Sequence, residues 1–478
     1  MTMDKHRPQY HFMPPANWMN DPNGLIQWDG TYHLFYQHNL QAAEWGDIHW
    51  GHATSQDLVH WQHLPVALAP TPGGPDHSGV WSGCAVDWNR TPTLVYTARD
   101  GEREHVCLAT SQNHLLNWEK YSGNPVVVDP PPGLDLLGFR DPCVWNVDGV
   151  WFMALGTGIR GVGGAILLYS SANLTDWHYL GPMLVGDADQ KDPLWAGEMW
   201  ECPNFFPLGD RHILMISAMG IQPDRGLYTL YMAGEFKDYH FTPEVMTKMD
   251  GGDIYFYAPQ AFLDEQGRRI VLGWARESRS REAQLAAGWA GVMTLPRLLE
   301  WRPDGWMGQR PVPELEALRG PGQSWSHLVV KPGQMLQPEG LNGDCLELEA
   351  DFNLGEIGGD LPGAFGLLVR RSPDGQEQTE IRIDRQAECL VVDNTHSSLT
   401  PEVETGCYDI PLDLSGLDHL NLRVFLDHSM IEVYANGLAV ITCRVYPSRD
   451  DSTGIAFFGS DQPLGIENLR IWPMRPIW

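Results

Sequence analysis

Short apolar segments recur at nearly constant spacing along the first part of this 478-residue chain. Most follow a turn signal such as Asp29-Gly30 or Asp148-Gly149, so each is predicted to be a β-strand that begins after a tight turn. Successive segments start 60, 58, 62 and 57 residues apart: YHLFYQ (32–37), PTLVYT (92–97), VWFMALG (150–156), HILMIS (212–217) and RIVLGW (269–274). The pattern indicates a repeat of about sixty residues.

A second series of segments, related to S-x-x-L-x-x-W, has the same period. Its members lie at Trp61, Trp118, Trp177, Tyr239 and Trp301, with spacings of 57, 59, 62 and 62 residues, and the first three are the clearest. Five units rich in short strands predict a five-bladed β-propeller over roughly residues 10–310, with four strands in each blade around a central channel. On the repeat alone, a pair of β-sandwiches is the alternative.

The sixty-residue phase ends near residue 310. The segment PELEALRG (313–320) predicts a short helix that ends at a glycine. Alternating strands such as CLELEADF, TEIRIDR and SMIEVYANG follow, with hairpin turns at Asp374-Gly375 and Asn436-Gly437. The predicted fold is therefore all-β, with a propeller domain (1–310), a linker with a short helix (311–321) and a C-terminal β-sandwich (322–478).

Composition and charge limit the classes of partner. The 20 Trp, 50 Gly and 36 Pro suit an all-β protein with many turns and with flat rings for sugar binding. The net charge of −29 repels nucleic acid and anionic membranes, so neither is an expected partner. No apolar run approaches the roughly 18 residues of a membrane span. A neutral small-molecule substrate is expected, because no local cluster of Arg or Lys stands out for a phosphorylated one.

The N-terminal segment indicates where the protein is located, and the cysteines indicate its redox state. The segment MTMDKHRPQYHFMPP lacks the apolar core of a secretory signal, which predicts a cytoplasmic protein; removal of an upstream signal would make it a secreted one. The eight cysteines form no C-x-x-C pair and are expected to be reduced thiols rather than disulfides or a metal site. The sequence leaves a monomer and a homodimer both open.

Polar residues also share the phase of the repeat. They lie at intervals of 61, 59, 60 and 57 residues: Asp21-Pro22, Ser82-Gly83, Asp141-Pro142, Glu201-Cys202 and Ala258-Pro259. Each carboxylate alone has a structural explanation, such as the turn NDPNG for Asp21 or an ion pair with Arg140 for Asp141. Equivalent positions of successive blades surround one axis, so the shared phase predicts that all three carboxylates face one channel mouth. This favours a functional role.

Carboxylates crowded into one cleft do not titrate alike, because repulsion and burial raise one pKa while hydrogen bonds keep another group ionised. A retaining glycosidase needs such a pair, an ionised nucleophile and a protonated acid. By its surroundings Glu201, next to Trp200, suits the acid, and Asp21, in a donor-rich turn, suits the nucleophile. Arg140 is expected to keep Asp141 ionised, and the ionised Asp141 could then bind hydroxyl groups and stabilise an oxocarbenium charge.

Eight motifs follow one another over nearly the whole chain: WMNDPNG (18–24), WGHATSQDLVHW (50–61), WSGCAV (81–86), FRDP (139–142), MWECP (199–203), YFYAPQAF (255–262), GWAGVMTLPR (288–297) and SMIEVYANG (429–437). Through them the chain resembles the β-fructofuranosidases of glycoside hydrolase family 32, which include invertases, sucrose-6-phosphate hydrolases, levanases and exo-inulinases. The resemblance implies a five-bladed propeller followed by a β-sandwich.

The resemblance also implies hydrolysis of the terminal non-reducing β-D-fructofuranoside of sucrose and short fructo-oligosaccharides through a covalent fructosyl-enzyme intermediate. Asp21 would be the nucleophile, Glu201 the general acid/base and Asp141 the transition-state stabiliser. No metal or organic cofactor is expected. The expected lining of a funnel for one fructosyl ring is Trp18, Asn20, Gln37, Trp45, Trp81, Ser82, Arg140, Tyr257 and Trp274.

Two departures from the family pattern concern the side of the leaving group. The usual F-S-G-S is here Trp81-Ser82-Gly83-Cys84, and the D-F-Y-A of many bacterial relatives begins here with Tyr255, while Asp253 lies two residues too early to replace that Asp. An exo-fructanase acting on inulin or levan and a fructosyltransferase therefore remain alternatives. A non-catalytic sugar-binding propeller is a remote one, because all three carboxylates are present.

Overall fold

The computed structural model describes residues 4–221, 227–355 and 361–478. These residues form an almost entirely β structure, and their helices are the α-helix Arg281–Ala287 and the 3-10 helices Asp253–Tyr255 and Pro313–Leu318. The α-helix begins at Ser280, whose side chain accepts a hydrogen bond from the Ala283 N–H, and ends at Gly288 in the left-handed conformation. In the described part of the chain, no helix has the length and apolar character needed to cross a membrane.

Five sheets, each built on four antiparallel strands, form the blades of the predicted propeller. From the innermost strand outwards, blade I contains Asn17–Trp28, Thr31–Asn39, Ile48–Ser55 and Trp61–Leu68, and blade II contains Val80–Trp88, Thr91–Asp100, Arg103–Thr110 and Glu119–Lys120. Blade III contains Arg140–Val147, Val150–Ile159, Gly163–Ser171 and His178–Val185. Blade IV contains Met199–Leu208, Arg211–Met219, Tyr228–Lys237 and His240–Lys248, and blade V contains Tyr257–Leu263, Arg269–Ala275, Arg297–Trp301 and Met307–Pro311.

The repeated apolar segments are the second strands of the five blades, so that prediction is confirmed. The tryptophans of the second series stand at or just before the outermost strands of blades I, II and III, and Tyr239 stands before that of blade IV. Trp301 breaks the series, because it ends the third strand of blade V. Its spacing of 62 residues from Tyr239 is therefore a coincidence, and the expectation that it marks the repeat is wrong.

Apolar clusters fill the spaces between neighbouring blades. One cluster packs Phe35 and Trp50 of blade I against Leu94 and Tyr96 of blade II, and similar clusters lie between II and III, III and IV, and IV and V. The ring closes between blades V and I, where the short strand Trp289–Ala290 pairs in parallel with the innermost strand of blade I. Every blade therefore contacts two neighbours, and the innermost strands surround one axis.

The C-terminal part of the chain is a sandwich of two six-stranded sheets. In hydrogen-bonded order one sheet contains Gln323–Val330, Leu464–Pro473, Cys345–Asn353, His419–Asp427, Met430–Ala435 and Ala439–Arg444. The other contains Met335–Leu336, Gly454–Gly459, Ala364–Arg371, Thr379–Asp384, Cys389–Asp393 and Cys407–Pro411. The short helix expected before the sandwich is the 3-10 helix Pro313–Leu318, and it ends with Arg319 as its cap, so the expectation that it ends at a glycine is wrong. The division of the chain at residues 310 and 322 stays a prediction.

A buried ion-pair network joins the propeller to the sandwich. Arg297 of blade V lies 2.8 Å from Asp250 and 2.9 Å from Glu432 of the sandwich, measured between side-chain nitrogen and oxygen. Glu432 also lies 3.2 Å from the His11 ring and accepts a hydrogen bond of 2.7 Å from the Leu295 N–H. Because buried charges are stable only when they are paired, these contacts hold the two parts of the molecule in one relative position.

Candidate active site

A cavity of about 240 Å³ opens at one end of the propeller axis. The structure brings to it all twelve residues expected from the sequence, and these twelve are its lining: Trp18, Asn20, Asp21, Gln37, Trp45, Trp81, Ser82, Arg140, Asp141, Glu201, Tyr257 and Trp274. The residues come from the innermost strands of all five blades and from the strands and loops next to them. We call this space the active-site cavity.

A second and larger cavity, of about 620 Å³, follows the axis beneath the first one. It is lined by innermost-strand residues of all five blades, and Ser82 and Asp141 line both cavities. We call this larger space the axial channel. Its size does not make it the reaction site, because Asp21 and Glu201 face the smaller cavity.

Bulges in the innermost strands turn the polar side chains toward the cavity. The pairing of each innermost strand with the second strand of its blade skips at the in-phase dipeptide, for example between Met19 and Pro22 in blade I and between Glu201 and Asn204 in blade IV. Asp141 has a φ of 62°, a conformation that non-glycine residues rarely adopt. A bulge changes the direction in which a side chain points. At three of the five positions the next residue is Pro, which has no N–H to donate to the sheet.

Asp21 is held by donors from three sides. It accepts hydrogen bonds from the Ser82 hydroxyl at 2.5 Å, from the Asn20 amide at 3.0 Å and from the Gln37 amide at 3.4 Å. Burial raises the pKa of Asp21 to about 6, and the charge of Glu201 acts in the same direction, while the hydrogen bonds from Ser82 and Asn20 lower it. The carboxyl is thus ionised above about pH 6 and has an oxygen fixed by its neighbours.

Asp141 lies on the floor of the cavity and is buried. Its carboxylate accepts a hydrogen bond of 2.9 Å from the Cys202 N–H of the next blade, and its own N–H donates to Thr97 at 2.8 Å. Burial raises the pKa of Asp141 to about 7, although the charge of Arg140 lowers it. The cost of burial therefore exceeds the attraction of the Arg140 guanidinium in its effect on the pKa of Asp141, and the ionised state expected for this group stays a prediction.

Arg140 pairs with Glu201 rather than with its neighbour in sequence. Its Nη2 and Nε lie 2.8 Å and 3.1 Å from Glu201 Oε1, and its Nη1 lies 3.0 Å from Glu104 Oε1. The other oxygen of Glu201 accepts a hydrogen bond of 2.8 Å from the Tyr257 hydroxyl. The expectation that Trp200 gives Glu201 apolar surroundings is wrong. Adjacent residues of a strand face opposite sides, and Trp200 is buried in the core between blades III and IV.

Aromatic rings form the wall of the cavity. Trp45 is 53% exposed and meets Trp81 edge to face, with 5.9 Å between ring centroids. On another side Trp274 contacts Trp18 and Tyr257, again in edge-to-face geometry. Flat, partly exposed rings around a few fixed polar groups suit the binding of a sugar, whose faces are apolar and whose edges are hydroxyl groups.

Three contributors to the site are missed by the sequence reasoning. Thr97 lies in the second strand of blade II and contacts the site through Asp141, and Glu104 lies in the third strand and contacts it through Arg140. The Cys202 thiol lies 3.5 Å from Asp21 and 3.6 Å from Asp141. The order of the motifs includes Cys202, but no signal in the sequence pairs Glu104 with Arg140. Asp253, considered as a replacement for a missing Asp, binds Lys248 at 2.6 Å and does not line the cavity.

The eight cysteines all lie in the described part of the chain and are free thiols. One of them, Cys345, forms with Asp427 and His428 a group whose possible ligand atoms lie within 4.8 Å of one another. The Asp427 carboxylate already accepts hydrogen bonds from the N–H groups of the N-terminal segment, at 2.7 Å from Gln9 and 2.9 Å from His11. This group therefore anchors the N-terminal segment to the sandwich, and nothing in its contacts calls for a metal.

Comparison with known proteins places these features in a family. The family model for the glycosyl hydrolases family 32 N-terminal domain matches residues 11–311, and the model for the family 32 C-terminal domain matches residues 314–473. The chain is 36% identical to a sucrose-6-phosphate hydrolase of Escherichia coli over 98% of this chain and 94% of that protein. It is 37% identical to a raffinose invertase of Escherichia coli over 97% and 94%.

Solved structures agree with the sequence matches. The fold superposes on fructan 1-exohydrolase IIa from Cichorium intybus with a TM-score of 0.87 and 29% identity, covering 100% of this chain and 98% of that one. The two family models together account for the propeller and the sandwich in the order in which the structure presents them. On these matches, the chain belongs to glycosyl hydrolase family 32.

Proposed function

We propose that this family 32 hydrolase is a retaining β-fructofuranosidase. It removes the terminal non-reducing β-D-fructofuranosyl unit of sucrose and short fructo-oligosaccharides through a covalent fructosyl-enzyme intermediate. The observation that supports this proposal most strongly is the meeting of Asp21, Asp141 and Glu201, from three different blades, in one cavity of about 240 Å³. That volume lies below the roughly 300–1,000 Å³ of clefts that take drug-sized ligands, and so suits a single sugar ring.

In the proposed first step, an oxygen of Asp21 attacks the anomeric carbon of the fructosyl ring. The ring bonds to this oxygen while the glycosidic bond breaks and the leaving oxygen takes a proton from Glu201. The hydrogen bonds from Ser82 and Asn20 lower the pKa of Asp21, which burial raises to about 6. The attack is assigned to Asp21 because three side-chain donors, from Ser82, Asn20 and Gln37, orient its carboxylate in the cavity.

In the second step, Glu201 takes a proton from water, and the water oxygen displaces Asp21 from the anomeric carbon. Two displacements give net retention of configuration. Arg140 and Tyr257 both contact the Glu201 carboxylate and so hold it in place for this proton transfer. Asp141 faces the same ring from the floor of the cavity and would stabilise the oxocarbenium charge and bind ring hydroxyls.

The charges around the cavity favour an uncharged substrate. Among the described residues that line it, Arg140 alone has a positive charge, and its guanidinium is already bound to Glu104 and Glu201. A phosphorylated sugar would bring two negative charges toward a protein with a net charge of −29. Sucrose is therefore proposed as a better substrate than sucrose-6-phosphate, although one similar protein of Escherichia coli is named for the phosphorylated sugar.

A second candidate is an exo-acting fructanase that uses the same residues. The exposed Trp45 and its contact with Trp81 favour it, because an open aromatic wall at the mouth leaves room for a leaving group longer than glucose. The structural likeness to a fructan 1-exohydrolase is in the same direction. Both activities cleave the terminal fructosyl unit, so they differ in the leaving group and not in the chemistry.

The test is a comparison of kcat/KM for sucrose, sucrose-6-phosphate, inulin and levan, with chromatography of the products to detect fructosyl transfer. The proposal expects the highest value for sucrose or a short oligosaccharide. A preference for inulin or levan would establish the second candidate. A preference for the phosphorylated sugar would contradict the argument from charge, and no release of fructose from any of the four would overturn the proposed function.

A further inference from the structure

A ring of five side chains lies directly beneath the active-site cavity and joins all five blades. Four of the innermost strands contribute a side chain that accepts a hydrogen bond from a backbone N–H of the next blade, and the fifth contributes Cys84. The five side chains line the axial channel: Asn23, Cys84, Cys143, Asn204 and Gln260. Each follows the in-phase residue of its own blade by two or three positions, so the ring lies one layer below the three carboxylates. We call it the axial ring.

The bonds of the axial ring run around the axis in one direction and together connect all five blades. They join Asn23 to Gly83 N at 3.2 Å, Cys143 to Phe205 N at 3.5 Å, Asn204 to Ala261 N at 2.9 Å and Gln260 to Leu25 N at 2.7 Å. Blades I, IV and V are therefore held on both sides at the same height.

The amide members of the axial ring make more bonds than the thiols. Besides accepting from Leu25 of blade I, Gln260 donates to the Gly83 carbonyl of blade II at 2.7 Å, so it connects three blades across the channel. Asn204 donates to the Cys202 and Pro259 carbonyls at 3.0 Å and 2.8 Å. Sulfur is a weak acceptor, so the strength of the ring is concentrated at Gln260 and Asn204.

The spacing of the blades at this height decides the spacing of the reacting groups. Asp21, Asp141 and Glu201 stand on blades I, III and IV, and no covalent path shorter than about sixty residues connects any two of them. Their separations can therefore be fixed only by contacts between blades. Displacement of a reacting group by about 1 Å can lower a rate by about 100-fold, which makes such contacts important for the reaction.

We propose that the axial ring sets the separation of Asp21 from Asp141 and Glu201, and that Gln260 and Asn204 are positioning residues for the reaction. This inference rests on the proposed function, because it assigns the ring a role in that reaction. The ring does not touch the sugar. It acts through the innermost strands that present the carboxylates.

The test compares Gln260→Leu with Gln27→Leu on sucrose. Gln27 lies on the innermost strand of blade I and accepts a hydrogen bond of 2.8 Å from the Glu265 N–H of blade V, so it bridges the same two blades far from the carboxylates. Gln260→Leu is expected to lower kcat about 10- to 100-fold with KM unchanged, since the site still binds but no longer holds its reacting groups in line. Gln27→Leu is expected to keep the kcat of the unmodified protein, and melting temperatures show whether each variant is folded.

A third variant, Gln260→Glu, gives a readout that a purely structural role would not produce. A protonated glutamic acid donates to Gly83 and accepts from Leu25, as the amide does, whereas the ionised form has no proton to donate. Its kcat relative to that of the unmodified protein is therefore expected to fall as the pH rises. This profile also decides the matter if Gln260→Leu does not fold.

Three results would overturn the inference while leaving the proposed function intact. They are an unchanged kcat in folded Gln260→Leu, equal losses of kcat in Gln260→Leu and Gln27→Leu, and a constant ratio of kcat for Gln260→Glu at all pH values. Failure of the unmodified protein to release fructose from sucrose or fructans would overturn the proposed function, and the role of the axial ring with it.

Discussion

The Ser82 hydroxyl lies 2.5 Å from Asp21 Oδ2, although 61 residues and the boundary between two blades separate them. Ser82 occupies in blade II the position that Asp21 occupies in blade I, so one blade supplies the carboxylate and the next supplies its donor. The same Ser82 accepts a short hydrogen bond from Gln37. The state of the proposed nucleophile therefore depends on a neighbouring blade.

Ser82→Ala is expected to move the acidic limb of the kcat/KM profile to higher pH by about one to two units, because a hydrogen bond to a charged group is worth about 1.5–3 kcal/mol. The Ser82 hydroxyl lowers the pKa of Asp21, which stands at about 6, so its removal raises that pKa. A nucleophile must be ionised, and activity is then lost at a higher pH as the medium is acidified. Ser111→Ala, on the same blade but bound to Asn113, is the control. An unmoved limb in Ser82→Ala would contradict the assignment.

Asp21→Asn is expected to lower kcat more than about 1,000-fold, because the amide cannot form the covalent intermediate. The variant should remain folded, since Asn has the same shape and retains one oxygen acceptor for the donors around it. Turnover of sucrose and the melting temperature are the two measurements. Near-normal turnover would exclude Asp21 as the nucleophile.

Glu201→Gln is expected to lower kcat for sucrose about 100- to 10,000-fold, the range lost with a general acid or base. The loss should be smaller for a fructoside with an acidic phenol as leaving group, because such a group departs without a proton. Steady-state rates on sucrose and on an aryl fructoside test this. Equal losses on both substrates would indicate that Glu201 acts in some other way.

Glu104→Gln is expected to lower kcat/KM about tenfold, although Glu104 does not line the cavity. Glu104 binds one end of Arg140 and so helps to aim the other end at Glu201, and a neutral amide holds a guanidinium less firmly than a carboxylate. The matched control is Asp135→Asn, which removes an exposed partner of Arg160. Activity equal to that of the control would show that Arg140 needs no second anchor.

Glu432→Gln is expected to lower the free energy of unfolding by about 3–5 kcal/mol at pH 7, because it removes a buried anion that both Arg297 and His11 contact and leaves them only Asp250 and Asp427 as anionic partners. The pKa of Glu432 is lowered to about 2 despite burial, chiefly by the charge of Arg297. A lowered carboxyl pKa gives stability that is present above the ordinary value of 4.5 and is lost as the pH falls toward about 2. The difference between the two proteins should therefore shrink over that interval.

Urea unfolding between pH 7 and pH 3 measures this difference. The control is Glu300→Gln, which removes the partner of Arg310 in an exposed pair and should cost less than about 1 kcal/mol at every pH. A small and constant difference for Glu432→Gln would show that the network between propeller and sandwich contributes little to stability.

Much of the fold follows from the spacing of residues alone. The second strands of the blades are recognisable as apolar runs about sixty residues apart, because the second strand of every blade is buried between its neighbours. The last tryptophan of the second series misleads, since blade V contains an inserted helix, Arg281–Ala287, before its third strand. Trp301 keeps the spacing of the series by chance, but it stands in the third strand of its blade and not at the outermost one.

The membership of the site also follows from the sequence, and its internal contacts do not. Asp21, Asp141 and Glu201 stand at equivalent positions of the repeat, which predicts that they lie at the same height on the propeller axis. The family motifs identify the other residues that line the cavity. The sequence pairs Arg140 with its neighbour Asp141, whereas the folded chain pairs it with Glu201 and Glu104. Which way each of these side chains turns is decided by a bulge in its strand.

The sequence by itself thus determined the number of blades, the order of the two folded parts and the set of residues that meet at the axis, because each is a matter of period and phase. Only the tertiary structure decided which of those residues touch one another, how deeply each carboxyl is buried and where its pKa lies. The physical reason is distance along the chain. Asp21 and Ser82 stand 61 residues apart, and only the packing of whole blades brings their oxygens within 2.5 Å.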